Sequence, residues 1–156
     1  MTDIVVRAAT PDDLPQLYAL WREKWSLAVQ KHKPEASRIS GFEDWQMKAS
    51  GWFTPSDCLY AASSGDRVVG FVHASVSPTN NETVIVDDLI LDLHQYHPGA
   101  ARQLFNALRQ WCAVRDVRRL TIPAGRRMPV EIAFWRSVGA QPGGSSEEME
   151  NLCLTL

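Results

Sequence analysis

Apolar residues in the first third of the chain predict a strand and then a long amphipathic helix. The segment DIVVRAAT is short and rich in the apolar residues that strands favour. Thr10 and Pro11 provide a helix cap and a first helical residue, and Pro34 provides a stop. Apolar residues at helical spacing indicate one inward face: Leu14, Leu17, Tyr18, Trp21, Trp25 and Ala28. The mixed sequence from Lys33 to Asp57 predicts a second, shorter helix and a loop.

The middle of the chain has the pattern of a β-sheet. CLYAASSGDRVVGFVHASV predicts two strands joined by a tight turn at Ser64-Gly65-Asp66, because these residues tolerate positive φ. The following run, VIVDDLILDL, is apolar at odd and even positions apart from its aspartates. Such a run is typical of a strand that is covered on both faces.

The last third of the chain predicts two helices and two strands. One helix is indicated by apolar residues at helical spacing: Ala101, Leu104, Phe105, Leu108, Trp111 and Cys112. RRLTIP predicts a strand, MPVEIAFWRSVG a helix that Gly139 ends, and MENLCLTL a closing strand. We expect the strand–helix–strand unit over residues 84–122 to be right-handed. The element order predicts an α/β (α+β) fold in which helices flank a mixed sheet.

Composition and charge narrow the class of protein. The chain has 156 residues and is 45% hydrophobic, which suits one domain over residues 1–156. A net charge of -2 without a basic block argues against binding to nucleic acid or to an anionic membrane. We expect a cytosolic protein, because the sequence shows neither a signal peptide nor an apolar run of about 20 residues. The three cysteines form no Cys-x-x-Cys pair and are expected to be reduced.

The turn His97-Pro98-Gly99-Ala100-Ala101 keeps its side chains small where a helix is predicted to begin. Small residues let the unpaired backbone N–H groups of a helix start approach a bound anion such as a phosphate. The same residues would also let the helix pack tightly on the preceding strand. Spacing alone leaves both interpretations open.

Four motifs between about Ile4 and Gln141 resemble the GCN5-related N-acetyltransferase (GNAT) superfamily, and they follow one another along the chain in the order that the family has. IVVRAATPDDLPQLYALW is similar to its opening strand and helix, DRVVGFVHA to its central hairpin, and AFWRSVGAQ to its late helix ending. The segment 96–101 is similar to its acetyl-CoA motif. The resemblance implies a mostly antiparallel sheet of about six to seven strands with about four helices. It also implies acetyl-CoA as co-substrate and a primary amine of a small molecule or peptide as acceptor.

The resemblance implies a coenzyme A site in two parts. The pyrophosphate would lie on backbone N–H groups at the helix start, those of His97, Gly99, Ala101 and Arg102. The backbone around Leu89 and Leu91 would pair with the pantetheine as an added strand does. The Leu89 N–H would also polarise the thioester carbonyl, which makes Leu89 a predicted catalytic residue.

Four positions depart from the pattern of the family. Tyr96, a predicted cofactor-binding residue, replaces the Arg or Gln that opens the phosphate loop, and Pro98 removes one N–H donor. Met128 stands where an Asn often contacts the cofactor. Trp135, also a predicted cofactor-binding residue, occupies the position of a frequent tyrosine acid, and an indole N–H cannot give up its proton at neutral pH. These departures keep a second function open, a CoA-binding or regulatory module without turnover.

Asp87 and Asp88 precede the thioester position on the predicted strand. Because adjacent strand residues point to opposite faces, we expect only one carboxylate to face the substrate, together with Leu89 and Leu91. Asp87 falls where several members of the family carry a base, so we predict that Asp87 is the catalytic base. A carboxylate that caps a loop or pairs with an arginine is the alternative interpretation.

The remaining polar and apolar features give further predictions. We expect no metal, because no ligand cluster completes a site around His94 and His97. His73 lies on a predicted strand and is interpreted as a structural residue rather than a base. An uncovered apolar edge at the closing strand MENLCLTL predicts a homodimer. The identity of the acceptor amine does not follow from the sequence.

Overall fold

The computed structural model describes residues 3–32, 41–95, 97–123, 129–142 and 151–156. The strands are β1 (Ile4–Ala8), β2 (Asp57–Ser64), β3 (Arg67–Val76), β4 (Thr83–Leu91), β5 (Arg119–Pro123), β6 (Gln141–Pro142) and β7 (Asn151–Thr155). The helices are α1 (Leu14–His32), α2 (Phe42–Ser50), α3 (Ala100–Val114) and α4 (Pro129–Ser137). A 3-10 turn, Pro11–Asp13, leads into α1.

The strands form one sheet in the order β1-β2-β3-β4-β5-β7-β6. Every neighbouring pair is antiparallel except β4 and β5, which are parallel and connected through α3. The structure therefore confirms the mixed, mostly antiparallel sheet that the sequence predicts. The predicted turn between β2 and β3 is also confirmed, with Gly65 at a φ of 62°.

The start of α1 is held by a buried carboxylate. Asp13 accepts hydrogen bonds from the Thr10 backbone N–H at 2.8 Å and from the Arg7 guanidinium at 2.7 and 2.8 Å. The side-chain hydrogen bond from Arg7 lowers the pKa of Asp13 against the opposing effect of burial. Thr10 and Pro11 thus start the helical segment where the sequence predicts it.

The two faces of the sheet carry separate apolar clusters. One cluster joins the sheet to α3 and α4, with Leu104, Leu108 and Trp135 among its buried residues. The other joins the sheet to α1 and α2 through Leu17 and Trp45. Strand β4 contributes to both clusters, which confirms the prediction that it is covered on both faces.

A β-bulge interrupts the pairing of β3 with β4. His73 lies opposite Asp88, whereas the next residue, Ala74, lies opposite Val86, so Asp87 is an extra residue in β4. A bulge shifts the alternation of side chains on its strand by one position. This irregularity decides the directions of Asp87 and Asp88.

The closing strand does not lie at an edge of the sheet. β7 pairs with β5 on one side and with β6 on the other. The premise of the homodimer, an uncovered apolar edge at MENLCLTL, is therefore wrong for the described residues 151–156. The homodimer itself stays a prediction.

No helix in the described part of the chain is long and apolar enough to cross a membrane.

Candidate active site

A groove opens where β4 separates from β5. The register of β4 with β5 runs from Thr83 opposite Arg119 to Ile85 opposite Thr121, and β4 continues beyond it to Leu91. The Asp92 N–H donates to the Val69 carbonyl at 2.8 Å, and backbone groups of an antiparallel strand alternate in direction. The backbone groups of Leu89 and Leu91 therefore point away from β3, toward the groove.

Two adjoining cavities form this groove. The outer cavity has a volume of about 500 Å³ and the inner cavity about 210 Å³. Both are lined by Leu91, Leu93, Ala101 and Phe134. The outer cavity adds polar residues, among them His94, His97 and Arg102. The inner cavity adds Lys24, Leu89, Ile90 and Glu131.

The first turn of α3 presents free backbone donors to the outer cavity. Gly99 caps the helix with a φ of 81°, a conformation that favours glycine. The Ala100 N–H is used within the turn, since it donates to the His97 carbonyl at 3.2 Å. The N–H groups of Ala101 and Arg102 have no hydrogen-bond acceptor among the described residues. Together with the helix dipole, these donors suit an anion.

A buried carboxylate holds the loop before α3. Asp92 is 1% exposed at its side chain; it accepts from Arg67 at 2.6 Å and from the His94 backbone N–H at 2.9 Å. The His97 Nε2 lies 3.7 Å from the Asp92 Oδ2. Burial alone would raise the pKa of Asp92, but the His94 hydrogen bond and the nearby positive charges lower it below its ordinary value. Asp92 thereby anchors the loop that carries His97 to the groove.

The structure brings most of the predicted cofactor residues together. Those that line the groove are Leu89, Leu91, His97, Gly99, Ala101 and Arg102. Tyr96, another predicted cofactor-binding residue, lies outside the described residues, and so does Met128, one of the departures from the family pattern. The assignment of these residues to a cofactor stays a prediction.

Trp135 does not line either cavity. Its side chain is 1% exposed and packs edge-on against Phe105, with ring centroids 5.7 Å apart. Phe134, one position earlier, lines both cavities. Adjacent residues of a helix point in directions about 100° apart, so only one of the two rings faces the groove. Cofactor binding by Trp135 stays a prediction, and Phe134 is the ring that lines the groove.

A group of charged side chains that the sequence analysis did not predict borders the inner cavity. We call Lys24, Asp88 and Glu131 the lysine cluster. The Lys24 Nζ lies 2.7 Å from the Glu131 Oε1 and 3.9 Å from the Asp88 Oδ1, and all three side chains are largely buried. A signal was present, because Lys24 continues the helical spacing of Leu17 and Trp21 on the inward face of α1.

Another group of polar side chains links the three adjacent strands β2, β3 and β4. We call Asp57, His73, Ser75 and Asp87 the histidine cluster. The His73 Nε2 lies 3.0 Å from the Asp57 Oδ1, and its Nδ1 lies 3.5 Å from the Asp87 Oδ2. The Ser75 hydroxyl donates to the Asp87 Oδ2 at 3.0 Å.

Within the described part of the chain, no group of three or more His, Cys, Asp and Glu residues is placed to hold a metal ion.

The expected alternation of Asp87 and Asp88 is wrong. Asp87 contacts His73 and Ser75, and the His73 ring stacks on Trp52, which packs on the α1 and α2 face. Asp88 contacts Lys24 of α1, so it also faces that side. Leu89 packs in the cluster of the opposite face. The bulge at Asp87 is the reason, because it places both carboxylates on one side of the sheet.

Comparisons with known proteins agree with this geometry. The family model of the Acetyltransferase (GNAT) family matches residues 14–140. The chain therefore belongs to the GNAT family of acetyltransferases. No curated protein gives a significant match.

Solved acetyltransferase structures share the fold over nearly the whole chain. PaiA N-acetyltransferase from Thermoplasma acidophilum, in complex with coenzyme A, has a TM-score of 0.82 at 14% identity, with 99% of each chain covered. An acetyltransferase from Thermus thermophilus has a TM-score of 0.77 at 19% identity, with 100% of each chain covered. Ribosomal-protein-alanine N-acetyltransferase from Brucella melitensis has a TM-score of 0.74 at 16% identity, covering 97% of this chain and 98% of that chain.

Proposed function

We propose that the protein is a cytosolic enzyme that transfers an acetyl group from acetyl-CoA to a primary amine of a small molecule or peptide. The observation that carries the proposal is the groove. Its outer cavity ends at helix-start amides that have no acceptor among the described residues, and its inner cavity is bordered by the backbone of Leu89 and Leu91. Family membership supports acetyl transfer. PaiA, which has the same fold, is described with coenzyme A.

The outer cavity suits the pyrophosphate of coenzyme A. The Ala101 and Arg102 N–H groups would donate to phosphate oxygens at the positive end of the α3 dipole. The Arg102 and His97 side chains line the same cavity and add donors. The small Ala101 side chain leaves room for the close approach.

The inner cavity suits the pantetheine and the thioester. The Leu89 and Leu91 backbone groups, which point away from β3, would pair with the pantetheine amides as a neighbouring strand does. The Leu89 N–H would donate to the thioester carbonyl oxygen and stabilise the negative charge that forms there in the tetrahedral intermediate.

Asp87 is the proposed base that removes a proton from the acceptor ammonium. Its side chain is 39% exposed, whereas that of Asp88 is 15% exposed and lies in the lysine cluster. Asp87 is therefore the carboxylate that an acceptor can reach from solvent. A carboxylate with a pKa of about 4 is a weak base for an ammonium of about 10, so the proton needs a further acceptor or an ordered water.

Leaving-group departure does not need an acid from α4. Trp135 is buried in the core and its indole cannot serve as an acid. The coenzyme A thiolate is itself a good leaving group, and the amine loses a proton as the amide forms. That proton balances the charge on the thiolate.

The experiment that tests the proposal measures free thiol released from acetyl-CoA with a panel of primary amines, beside calorimetric binding of coenzyme A. We expect binding and amine-dependent release. Ala101→Glu should abolish binding because a carboxylate would lie against the pyrophosphate. Ala113→Glu, on the exposed far end of α3, is the matched control and should bind normally. Tight binding by Ala101→Glu contradicts the site, and binding without thiol release favours the non-catalytic module.

A further inference from the structure

His73 occupies an unusual position between two carboxylates. It lies on β3, its side chain is 5% exposed, and its two ring nitrogens face acids on the two neighbouring strands. Asp57 of β2 is 3.0 Å from Nε2, and Asp87 of β4 is 3.5 Å from Nδ1. Among the described residues, these are the titratable side chains in contact with the ring.

The contact with Asp57 determines where the first ring proton lies. An ionised carboxylate only accepts hydrogen bonds, so the Nε2–H of His73 donates to Asp57. Asp57 is itself held in place, because its other oxygen accepts from the Thr54 hydroxyl at 2.6 Å. The Nδ1 of the neutral ring then carries a lone pair.

That lone pair faces the carboxylate of Asp87. The His73 Nδ1 is buried and makes no hydrogen bond within the described residues. A lone pair opposite a carboxylate oxygen is unfavourable, and buried polar atoms are rarely left unsatisfied. A proton placed between Nδ1 and the Asp87 Oδ2 removes the conflict and joins the two groups by a hydrogen bond.

Two carboxylates and one aromatic face surround the His73 ring. Two carboxylates flank it, and Trp52 stacks on it with ring centroids 4.1 Å apart at an interplanar angle of 19°. Both the carboxylates and the aromatic face stabilise a cation. Asp87 is the most exposed member of the chain of groups Asp57–His73–Asp87, so a proton enters through it.

We propose that His73 is a positioning residue for the acetyl transfer and receives, through Asp87, the proton that the acceptor ammonium gives up. This inference rests on the proposed function. Asp87 takes a proton from the ammonium, passes it to the His73 Nδ1, and becomes a carboxylate again. The neutral amine then forms its N–C bond to the thioester carbonyl.

The rest of the reaction keeps atoms and charges in balance. Collapse of the tetrahedral intermediate breaks the C–S bond and releases the thiolate, which takes the second proton of the amine nitrogen. The His73 imidazolium returns its proton to solvent through Asp87. The net products are the amide, free coenzyme A and one proton.

The test compares His73→Gln with the parent in a pH–rate profile, using the amine that releases thiol fastest. Glutamine keeps an N–H donor for Asp57 but cannot take a second proton. We expect a loss of about 10-fold or more in kcat, an unchanged KM for acetyl-CoA, and a rate that rises with the fraction of free amine. Ser50→Ala, which removes an exposed side-chain hydrogen bond to the Gln46 carbonyl on α2, lies outside the histidine cluster and should keep the parent's pH–rate profile.

The outcomes separate this inference from the proposed function. If Asp87→Asn keeps full activity, the base itself is wrong and the role of His73 fails with it. If Asp87→Asn loses activity while His73→Gln keeps the parent rate and profile, the role of His73 is wrong and the proposed function stands.

A second measurement needs no acceptor and no His73 variant. The imidazole nitrogens of His73 are titrated by nitrogen-15 NMR in the parent and in Asp87→Asn. Loss of the facing carboxylate should move the protonation midpoint of His73 to lower pH. The same midpoint in both proteins would show that the two groups share no proton, and would overturn the inference.

Discussion

The lysine cluster and the histidine cluster meet at the same bulge but differ in charge balance and exposure. The lysine cluster sets one cation against two carboxylates, and all three side chains are largely buried between α1, β4 and α4. The histidine cluster lies on adjacent strands beneath Trp52, and its outer carboxylate, Asp87, is exposed to solvent. Neighbouring aspartates thus enter different environments, one suited to holding elements together and the other to exchanging protons.

The difference follows from what burial does to a charge. A buried ammonium is tolerated when close anions replace its water, so Lys24 depends on Glu131 and Asp88. A base must instead exchange protons with its substrate, which requires access. Removing a charge should therefore reduce stability in the lysine cluster and activity in the histidine cluster.

The largest expected effect is on activity, from Asp87→Asn. We expect the acetylation rate to fall by about 10²-fold or more, with unchanged affinity for coenzyme A, because the amide keeps the shape but cannot take a proton. The loss should shrink at higher pH, where the amine is already deprotonated. Steady-state kinetics across pH check this. Asp88→Asn is the matched control and should change the rate little; equal losses in both variants would contradict the comparison.

The next effect is on stability, from Glu131→Gln. Loss of the carboxylate 2.7 Å from the Lys24 Nζ leaves a buried ammonium with Asp88 at 3.9 Å. We expect the free energy of unfolding to fall by about 2 kcal/mol in urea denaturation. The double variant Lys24→Met with Glu131→Gln should recover part of that loss, because it removes the buried charge as well. An unchanged urea midpoint for Glu131→Gln would show that the ion pair is not stabilising.

The next prediction concerns the wall of the groove rather than either cluster, and its expected effect is smaller. A Cβ at Gly70, opposite Leu91, would lie 2.8 Å from the Leu91 Cδ2 and 2.9 Å from the Ile90 carbonyl oxygen. Gly70→Ala should cost about 1 to 2 kcal/mol of unfolding free energy and weaken coenzyme A binding by displacing Leu91. Gly41→Ala is the control, since no atom lies within 4 Å of its Cβ position. Normal stability and binding in Gly70→Ala would contradict the assigned groove wall.

The smallest effect concerns Asp92, a buried carboxylate satisfied by hydrogen bonds. Because its folded-state pKa is lowered, its stabilising contribution is complete above about pH 5 and is lost as the pH falls through the folded-state pKa. Asp92→Asn should lower the free energy of unfolding by about 1 kcal/mol at pH 7. The difference from the parent should narrow near pH 3, as urea denaturation at both pH values would show. If the difference in unfolding free energy widened at the lower pH, the assigned direction of the Asp92 pKa shift would be wrong.

Local patterns predicted the elements and their order, apart from the two-residue strand β6. Thr10 and Pro11 start the first helical segment, Gly65 makes the hairpin turn, and the doubly apolar run becomes β4 with both faces covered. Each of these features depends on residues close together in the chain. The resemblance also located the helix start at Gly99, whose positive φ the structure shows.

Other features depend on contacts between distant segments of the chain. Trp135 and Phe134 are adjacent, and the packing of α4 against Phe105 decides which ring enters the core. The place of β7 between β5 and β6 depends on strand pairing across the sheet. Lys24 was visible as a charge on an apolar helix face, but its partners come from distant segments.

The sequence by itself determined the fold class, through the periodicity of its apolar residues. The family, and the groove-lining residues around Leu89 and Ala101, came from the resemblance of short motifs. Only the tertiary structure decided which way the two aspartates face. A β-bulge is a property of two paired strands, and the alternation within β4 gives no sign that His73 and Ala74 pair with Asp88 and Val86. The burial of His73 between two carboxylates likewise exists only once three strands lie side by side.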